Sequence, residues 1–354
     1  MGNKIYINGT GGISAQPENA VFEGKIISYN QNIIPAKAPN YKQYIPGMQL
    51  RRMSGGIKMG LTAAKIALEE AGVEMPDAII TGTGEGCKQD TEKFLQAMLD
   101  REEEMLSPTS FIQSTHNTIG GQIALHLKCN GYNMTYSQNS ASLESALIDG
   151  GLLLKEDSSI KNVLVGGVDE ISEKITGFQK LDGQVKKETT SSSNLFDSET
   201  SGTIISEGAH FFSLSSEKRK TTYGVLQDVD VFQAQNSKEA SEKISEFLQK
   251  NKIEIRELQC ILLGRNGDNR YDNFHTDLQS EMFSEISQLA WKNLAGDYDT
   301  SSGFALQLGC QILKNRRTPE ILKLNDITPA STGRILIYNQ YLGENHSLVL
   351  LTSP

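Results

Sequence analysis

One pattern narrows the fold of this chain more than any other. A short apolar strand ending in glycines, then small hydroxyl residues leading into a helix, occurs twice in the same order. The first strand is D-A-I-I-T-G-T-G-E-G (77–86), and its counterpart is Q-C-I-L-L-G-R-N-G-D (259–268). The first turn and helix read Y-S-Q-N-S-A-S-L-E-S-A-L-I-D-G (136–150), where Leu143, Ala146, Leu147 and Gly150 share one helical face. The counterpart, D-Y-D-T-S-S-G-F-A-L-Q-L-G-C-Q-I-L (297–313), places Phe304, Leu308 and Ile312 four apart. A βα unit repeated in matching order predicts an α/β chain of two similar halves about a pseudo-twofold, with two helix N-termini facing one another. The halves are read as domains 1–220 and 221–354.

The remaining elements fit between these landmarks. Residues 4–13 read as a strand running into Gly9-Thr10-Gly11-Gly12, and residues 28–50, with Pro35, Pro39 and Pro46, as irregular chain. Ile57, Leu61, Ala64, Leu68 and Ala71 predict a helix capped by Gly72. Further helices are expected at about 91–104, 117–127 and 237–250. N-V-L-V-G-G-V-D-E (162–170) is a continuous apolar run, as in a strand covered on both faces. Residues 182–201 are a polar surface loop, 201–214 a pair of strands around Glu207-Gly208, and R-I-L-I-Y-N and H-S-L-V-L-L two closing strands.

Composition excludes several classes. With 38% apolar and 22% charged residues the chain is an ordinary globular one, and no run approaches the roughly 18 apolar residues of a membrane helix. A net charge of −9 without a basic stripe argues against nucleic acid. The most basic spots, Arg51-Arg52, Lys186-Lys187 and Lys314-Asn315-Arg316-Arg317, read as solvated surface. Cys87, Cys129, Cys260 and Cys310 are far apart and read as buried small hydrophobes, so neither a metal site nor a disulfide frame is expected. Gly82-x-Gly84-x-Gly86 lacks the spacing of a dinucleotide fingerprint and reads as a tight turn, so no cofactor is expected. A cytoplasmic location is expected.

The turn before the first repeated helix has the build of a nucleophile site. A helix N-terminus lends positive potential and free N–H groups to whatever sits there. This one offers Ser137, Gln138, Asn139, Ser140 and Ser142, and no cysteine.

Three stretches in order resemble the β-ketoacyl synthases of the thiolase fold. V-L-V-G-G-V-D-E (163–170) resembles that family's strand after the nucleophile helix. G-T-I-I-S-E-G-A (202–209) is similar to its G-F-V-x-G-E-G-A. K-N-L-A-G-D-Y-D-T-S-S-G (292–303) matches its K-S-x-x-G-H-x-x-G-A-A-G at Lys292, Gly296 and Gly303. The resemblance implies a layered α-β-α-β-α arrangement. It also implies a site in which a cysteine takes an acyl group from a carrier protein and two histidines steady the enolate left when a malonyl thioester loses CO₂.

Carried over residue by residue, all three groups are replaced. The cysteine slot falls on Ser140, with Gln138 or Ser142 as alternatives. The first histidine falls on Arg265, with Asn266 second, and the second histidine on Asp297. Lys292 alone is kept, and the glycine-rich loop near the C-terminus shrinks to Asn339–Asn345. A serine without a base is a poor nucleophile, and an ionised aspartate has no proton for an enolate. Asp297 with Lys292 is read as a buried ion pair in place of the catalytic group, and Arg265 as the one remaining group able to stabilise negative charge. Of the histidines, His116 lies ahead of a helix expected near a dimer interface and His275 follows Arg265 in a loop; His126, His210 and His346 read as structural.

These replacements imply a non-catalytic, chain-length-factor-like subunit for fatty acid, polyketide or aryl polyene assembly, in a heterodimer with a cysteine-bearing ketosynthase and engaging an acyl carrier protein and acyl chain indirectly. The alternatives are an acyltransferase or hydrolase using Ser140, a malonyl-thioester decarboxylase using Arg265, and a homodimer that binds an acyl chain or carrier.

Overall fold

The computed structural model describes residues 4–354. Strands β1 (Ile5–Ile13), β2 (Ala78–Gly82), β3 (Tyr132–Tyr136), β4 (Asn162–Asp169) and β5 (Gly208–Ser215) come from the first half of the chain. Strands β6 (Gly224–Gln233), β7 (Cys260–Leu263), β8 (Gln288–Ala290), β9 (Arg334–Tyr341) and β10 (Asn345–Thr352) come from the second. They form one ten-stranded sheet in the order β8-β7-β9-β10-β6-β1-β5-β4-β2-β3. Each half is wound alike, its third strand beside its second, then its fourth, fifth and first. The fifth strand is antiparallel to its neighbours in both halves, and the other pairings are parallel. Antiparallel pairing of β1 with β6, Tyr6 opposite Val225, joins the halves.

The principal helices are α1 (Gly55–Ala71), α2 (Lys88–Asp100), α3 (Thr118–Leu127), α4 (Ser142–Glu156), α5 (Ser237–Lys250) and α6 (Ser302–Asn315). Strand side chains alternate between faces, and that alternation sorts the core into three layers. Ile80, Val163, Val165, Leu262, Ile335 and Ile337 point into a middle layer holding Leu143 and Leu147 of α4 with Phe304, Leu308 and Ile312 of α6. Ile79 and Leu164 face outward onto α1 and α3. Ile261, Leu263, Leu336 and Leu350 face outward onto Ile244, Phe247 and Leu248 of α5. The result is the expected α-β-α-β-α sandwich. A Cβ on Gly303 would lie 3.2 Å from Leu143, so the two middle helices meet at their first turns.

Local chemistry explains the boundaries. The Ser54 hydroxyl caps α1 by accepting from the Ile57 N–H, and Gly72 closes it in the left-handed region at φ 65°. Helix α2 starts and stops earlier than the 91–104 expected, and a short helix, Pro108–Gln113, follows it. Residues 28–50 hold a two-residue strand, Ile33–Ile34, paired with Ile205–Ser206. The polar loop is anchored by the buried Lys186, whose Nζ donates to the Thr200 and Gly267 carbonyls at 3.1 and 2.8 Å. Strands β6 and β8 went unread in the sequence. β6 is buried at its first three residues and half-exposed beyond, which blurs its alternation, and β8 has three residues. No helix among the described residues is long and apolar enough to cross a membrane, and all four cysteines are buried and free.

Candidate functional site

The middle helices bring two turns together at the pseudo-twofold. On the first-half side, β3 ends at Tyr136 and the chain reverses through Asn139, the only residue of the elbow at positive φ (48°). Asparagine tolerates that conformation better than most side chains, and this apex is a feature the sequence reading passed over. Ser142 is a staple: its hydroxyl accepts from the Gln138 N–H at 2.8 Å and lies 3.0 and 2.6 Å from the Thr83 and Asn139 carbonyls. Gln138 is exposed and accepts from Ser145 at 2.6 Å. Of the three residues that compete for the cysteine slot, only Ser140 is buried with its hydroxyl free of such a bond among the described residues.

On the second-half side the chain runs Trp291–Thr300 into α6. The Lys292 ammonium meets Asp297 Oδ1 at 2.8 Å with both side chains largely buried. The other oxygen, Oδ2, accepts from Asn266 Nδ2 at 2.8 Å. Arg265, the first choice for this place, does not join the cluster. Its Nε donates to Asp272 at 3.1 Å, its Nη2 to the Phe196 carbonyl at 2.8 Å, and its guanidinium lies over the Phe196 ring. The residue facing Asp297 is therefore Asn266. Adjacent side chains point opposite ways, so a one-residue shift in register decides which of the two enters the site. The signal was present in Gly267, whose φ of 75° suits a glycine and which would align with the glycine after the family's histidine.

Asp169, at the end of β4, ties the halves together. Its Oδ1 accepts from the Gly84 N–H and the Thr83 hydroxyl at 2.8 and 3.1 Å. Its Oδ2 accepts from the Thr300 N–H and hydroxyl at 2.8 and 2.7 Å. A Cβ on Gly84 would overlap Asp299, so the glycine-ended strand is there for close approach rather than for phosphate. Burial, then the charge of Asp169, pushes the Asp299 carboxyl up to about 8. The shortened loop between β9 and β10 is a tight hairpin with Leu342 and Gly343 both left-handed, at φ 51° and 72°.

No histidine hydrogen-bonds this cluster among the described residues. His275 is fully buried, edge-on to Tyr338 with neither ring nitrogen partnered, and burial with the nearby Lys292 and Arg265 charges holds its pKa well down. His210 bonds Gln307 and is pushed down to about 4 by burial. His346 bonds the Tyr338 hydroxyl at 2.8 Å, His126 bonds Gln49 at 2.8 Å, and His116 is exposed beside Gly86. Among the described residues, no three His, Cys, Asp or Glu side chains come together as metal ligands.

This architecture places the chain in a class, the condensing-enzyme fold with its two facing helix N-termini. The chain belongs to the β-ketoacyl synthase family, whose N-terminal domain matches residues 28–257. No curated protein sequence matches it. Among solved structures it is similar to the ishigamide ketosynthase/chain length factor, at 15% identity and a TM-score of 0.81 over 100% of both chains. It is similar to a β-ketoacyl synthase from Burkholderia phymatum STM815, at 13% identity and a TM-score of 0.83 over 99% of this chain and 100% of that one. A third similar structure is a ketosynthase (ApeO) in complex with its chain length factor (ApeC) from Xenorhabdus doucetiae, at 16% identity and a TM-score of 0.79 over 99% and 98%.

Proposed function

We propose that this chain is a non-catalytic, chain-length-factor-type subunit that pairs with a cysteine-bearing ketosynthase in carrier-protein-bound acyl chain assembly, its two halves dividing near residue 220. The observation that carries the reading is the Asn266–Asp297–Lys292 cluster. A carboxylate that already accepts from an ammonium and an amide has no proton to give a developing enolate, and loss of one oxyanion donor costs on the order of 10²- to 10³-fold in rate. The Ser140 hydroxyl has no base to activate it. A decarboxylase built on Arg265 is disfavoured because that guanidinium is spent on Asp272 and Phe196.

The surface supports a partner. β3 is an unpaired sheet edge bearing the exposed Tyr132 and Met134, and Leu125, Phe111 and Ile112 are exposed on the same half. Such an edge is a template for another strand. On a chain of net charge −9, a groove of about 620 Å³ is lined by Arg52, Lys65, His126 and Lys128 with no carboxylate. That local basicity suits an acidic carrier protein docking near the interface. One of the similar structures is described as a ketosynthase in complex with its chain length factor, and a further one, at 15% identity and a TM-score of 0.76 over 100% of both chains, as a type II PKS acyl-carrier protein in complex with its ketosynthase.

The experiment is co-expression with the cysteine-bearing ketosynthase of the same organism. A stable heterodimer and a changed acyl chain length are expected, and Ser140→Ala is expected to leave both unaltered. Intact mass after incubation with acyl- and malonyl-carrier protein is expected to show no adduct on this chain and no CO₂ release by it alone. An acyl adduct lost in Ser140→Ala would replace this reading with an acyltransferase.

A further inference from the structure

The edge strand β3 has two faces of different chemistry. Asn133 turns to α3, its Nδ2 donating to the Gly120 carbonyl at 3.0 Å. Side chains alternate along a strand, so Tyr132, Met134 and Tyr136 turn the other way, toward α4. There the Tyr132 hydroxyl donates to Asp149 Oδ2 at 3.1 Å. Tyr132 and Met134 are 39% and 40% exposed, and Leu152, on the Asp149 side of α4, is 47% exposed. This apolar strip carries a carboxylate and no cation. Asp149 forms no ion pair among the described residues. The other charged residue on its side of the helix is Glu156, at i+7, while Lys155 points about a third of a turn away. His126 and Lys128 line the groove on the α3 side.

We propose that this face fits a partner edge strand bearing a lysine or arginine opposite Asp149, and that the same carboxylate keeps the chain from pairing with a second copy of itself. The inference rests on the pairing through β3 proposed above and adds the chemistry of the partner. A twofold that continues a sheet by antiparallel pairing stands perpendicular to the sheet, so each face meets its own copy, as in any isologous contact. Self-pairing through β3 would therefore set the α4 side against the α4 side, carboxylate facing carboxylate with no cation on either. Like charges so placed repel, and a carboxylate taken out of water unpaired is costly. A cation on the partner removes both penalties and gains a charge-assisted hydrogen bond.

The test is sedimentation velocity on the purified protein, alone and mixed with the ketosynthase of the co-expression experiment. Alone, the wild type is expected to be monomeric. Asp149→Asn keeps an acceptor for Tyr132; it is expected to weaken the complex with the ketosynthase about tenfold or more and to flatten its salt dependence. Asp149→Lys is expected to abolish that complex. Mixed with the wild type, Asp149→Lys supplies the missing cation and is expected to give a mixed dimer that neither chain forms alone. The absence of that mixed dimer overturns the assignment. So does a wild-type homodimer dispersed by Met134→Glu, or an Asp149→Lys chain that holds the ketosynthase as tightly as the wild type does. If the wild type ignores the ketosynthase, the pairing proposed above falls, while a mixed dimer still upholds the chemistry assigned to this face.

Discussion

Lys292 and Asp297 form an ion pair at 2.8 Å with both side chains largely out of solvent, so each charge depends on the other. Removing one partner of a buried pair strands the other, at about 3–5 kcal/mol. Lys292→Met is expected to lower the unfolding free energy read from urea denaturation by that amount, and Lys292→Met with Asp297→Leu to recover most of it. Glu170 is a second residue-scale case. Its carboxylate caps two helices at once, accepting from the Gly56 and Gln89 N–H groups at 2.6 and 2.9 Å, and burial raises it to about 7. An acid whose folded pKa is raised binds more proton folded than unfolded, so its stability contribution falls between about pH 4.5 and 7, by on the order of 3 kcal/mol. His210 works in the opposite sense. Depressed to about 4, it releases its proton on folding, and stability rises between pH 4 and 6.5. The two slopes oppose each other in the native protein. Glu170→Gln is expected to unmask a stability that rises from pH 4 to 6.5, read by chemical denaturation across that range.

At the scale of elements, the edge strand β3 is where the proposed pairing with a ketosynthase can be tested. Lysine on an edge strand blocks strand addition without disturbing the inner pairing. Tyr132→Lys with Met134→Lys is expected to leave circular dichroism unchanged and to abolish co-purification with the ketosynthase partner. The elements themselves were legible wherever their periodicity was clean. α1, with its serine cap and glycine stop, and the continuous apolar run of β4 fall where the spacing put them. β6 and β8 did not show, since a strand half out of the core and one of three residues leave too little pattern. The candidate site was legible in part. Lys292 and Asp297 sit five residues apart in one motif and could be paired from sequence, whereas Asn266 reaches Asp297 from 31 residues away.

At the scale of the whole molecule, the identical winding of the two halves is what makes a site at all. It sets two helix N-termini against each other, and Asp169 locks one half's glycine turn to the other half's helix by four bonds. The same geometry serves a condensing enzyme when its turns carry cysteine and histidine. Here it holds Ser140, Asn266 and Asp297. Asp169→Ala is expected to destabilise the protein by several kcal/mol, since four buried donors lose their acceptor together, a loss measurable as a drop in Tm well beyond that of surface substitutions.

The sequence alone determined the α/β class and the doubling of the fold. Those properties live in local spacing and residue identity, where one burial face or one motif suffices. Only the tertiary structure decided that Arg265 turns away and Asn266 turns in, and that Ser142 is a staple. Each of these depends on which side of the backbone a residue leaves and on what a distant segment brings to meet it, and neither is written in the spacing of residues along one strand or helix.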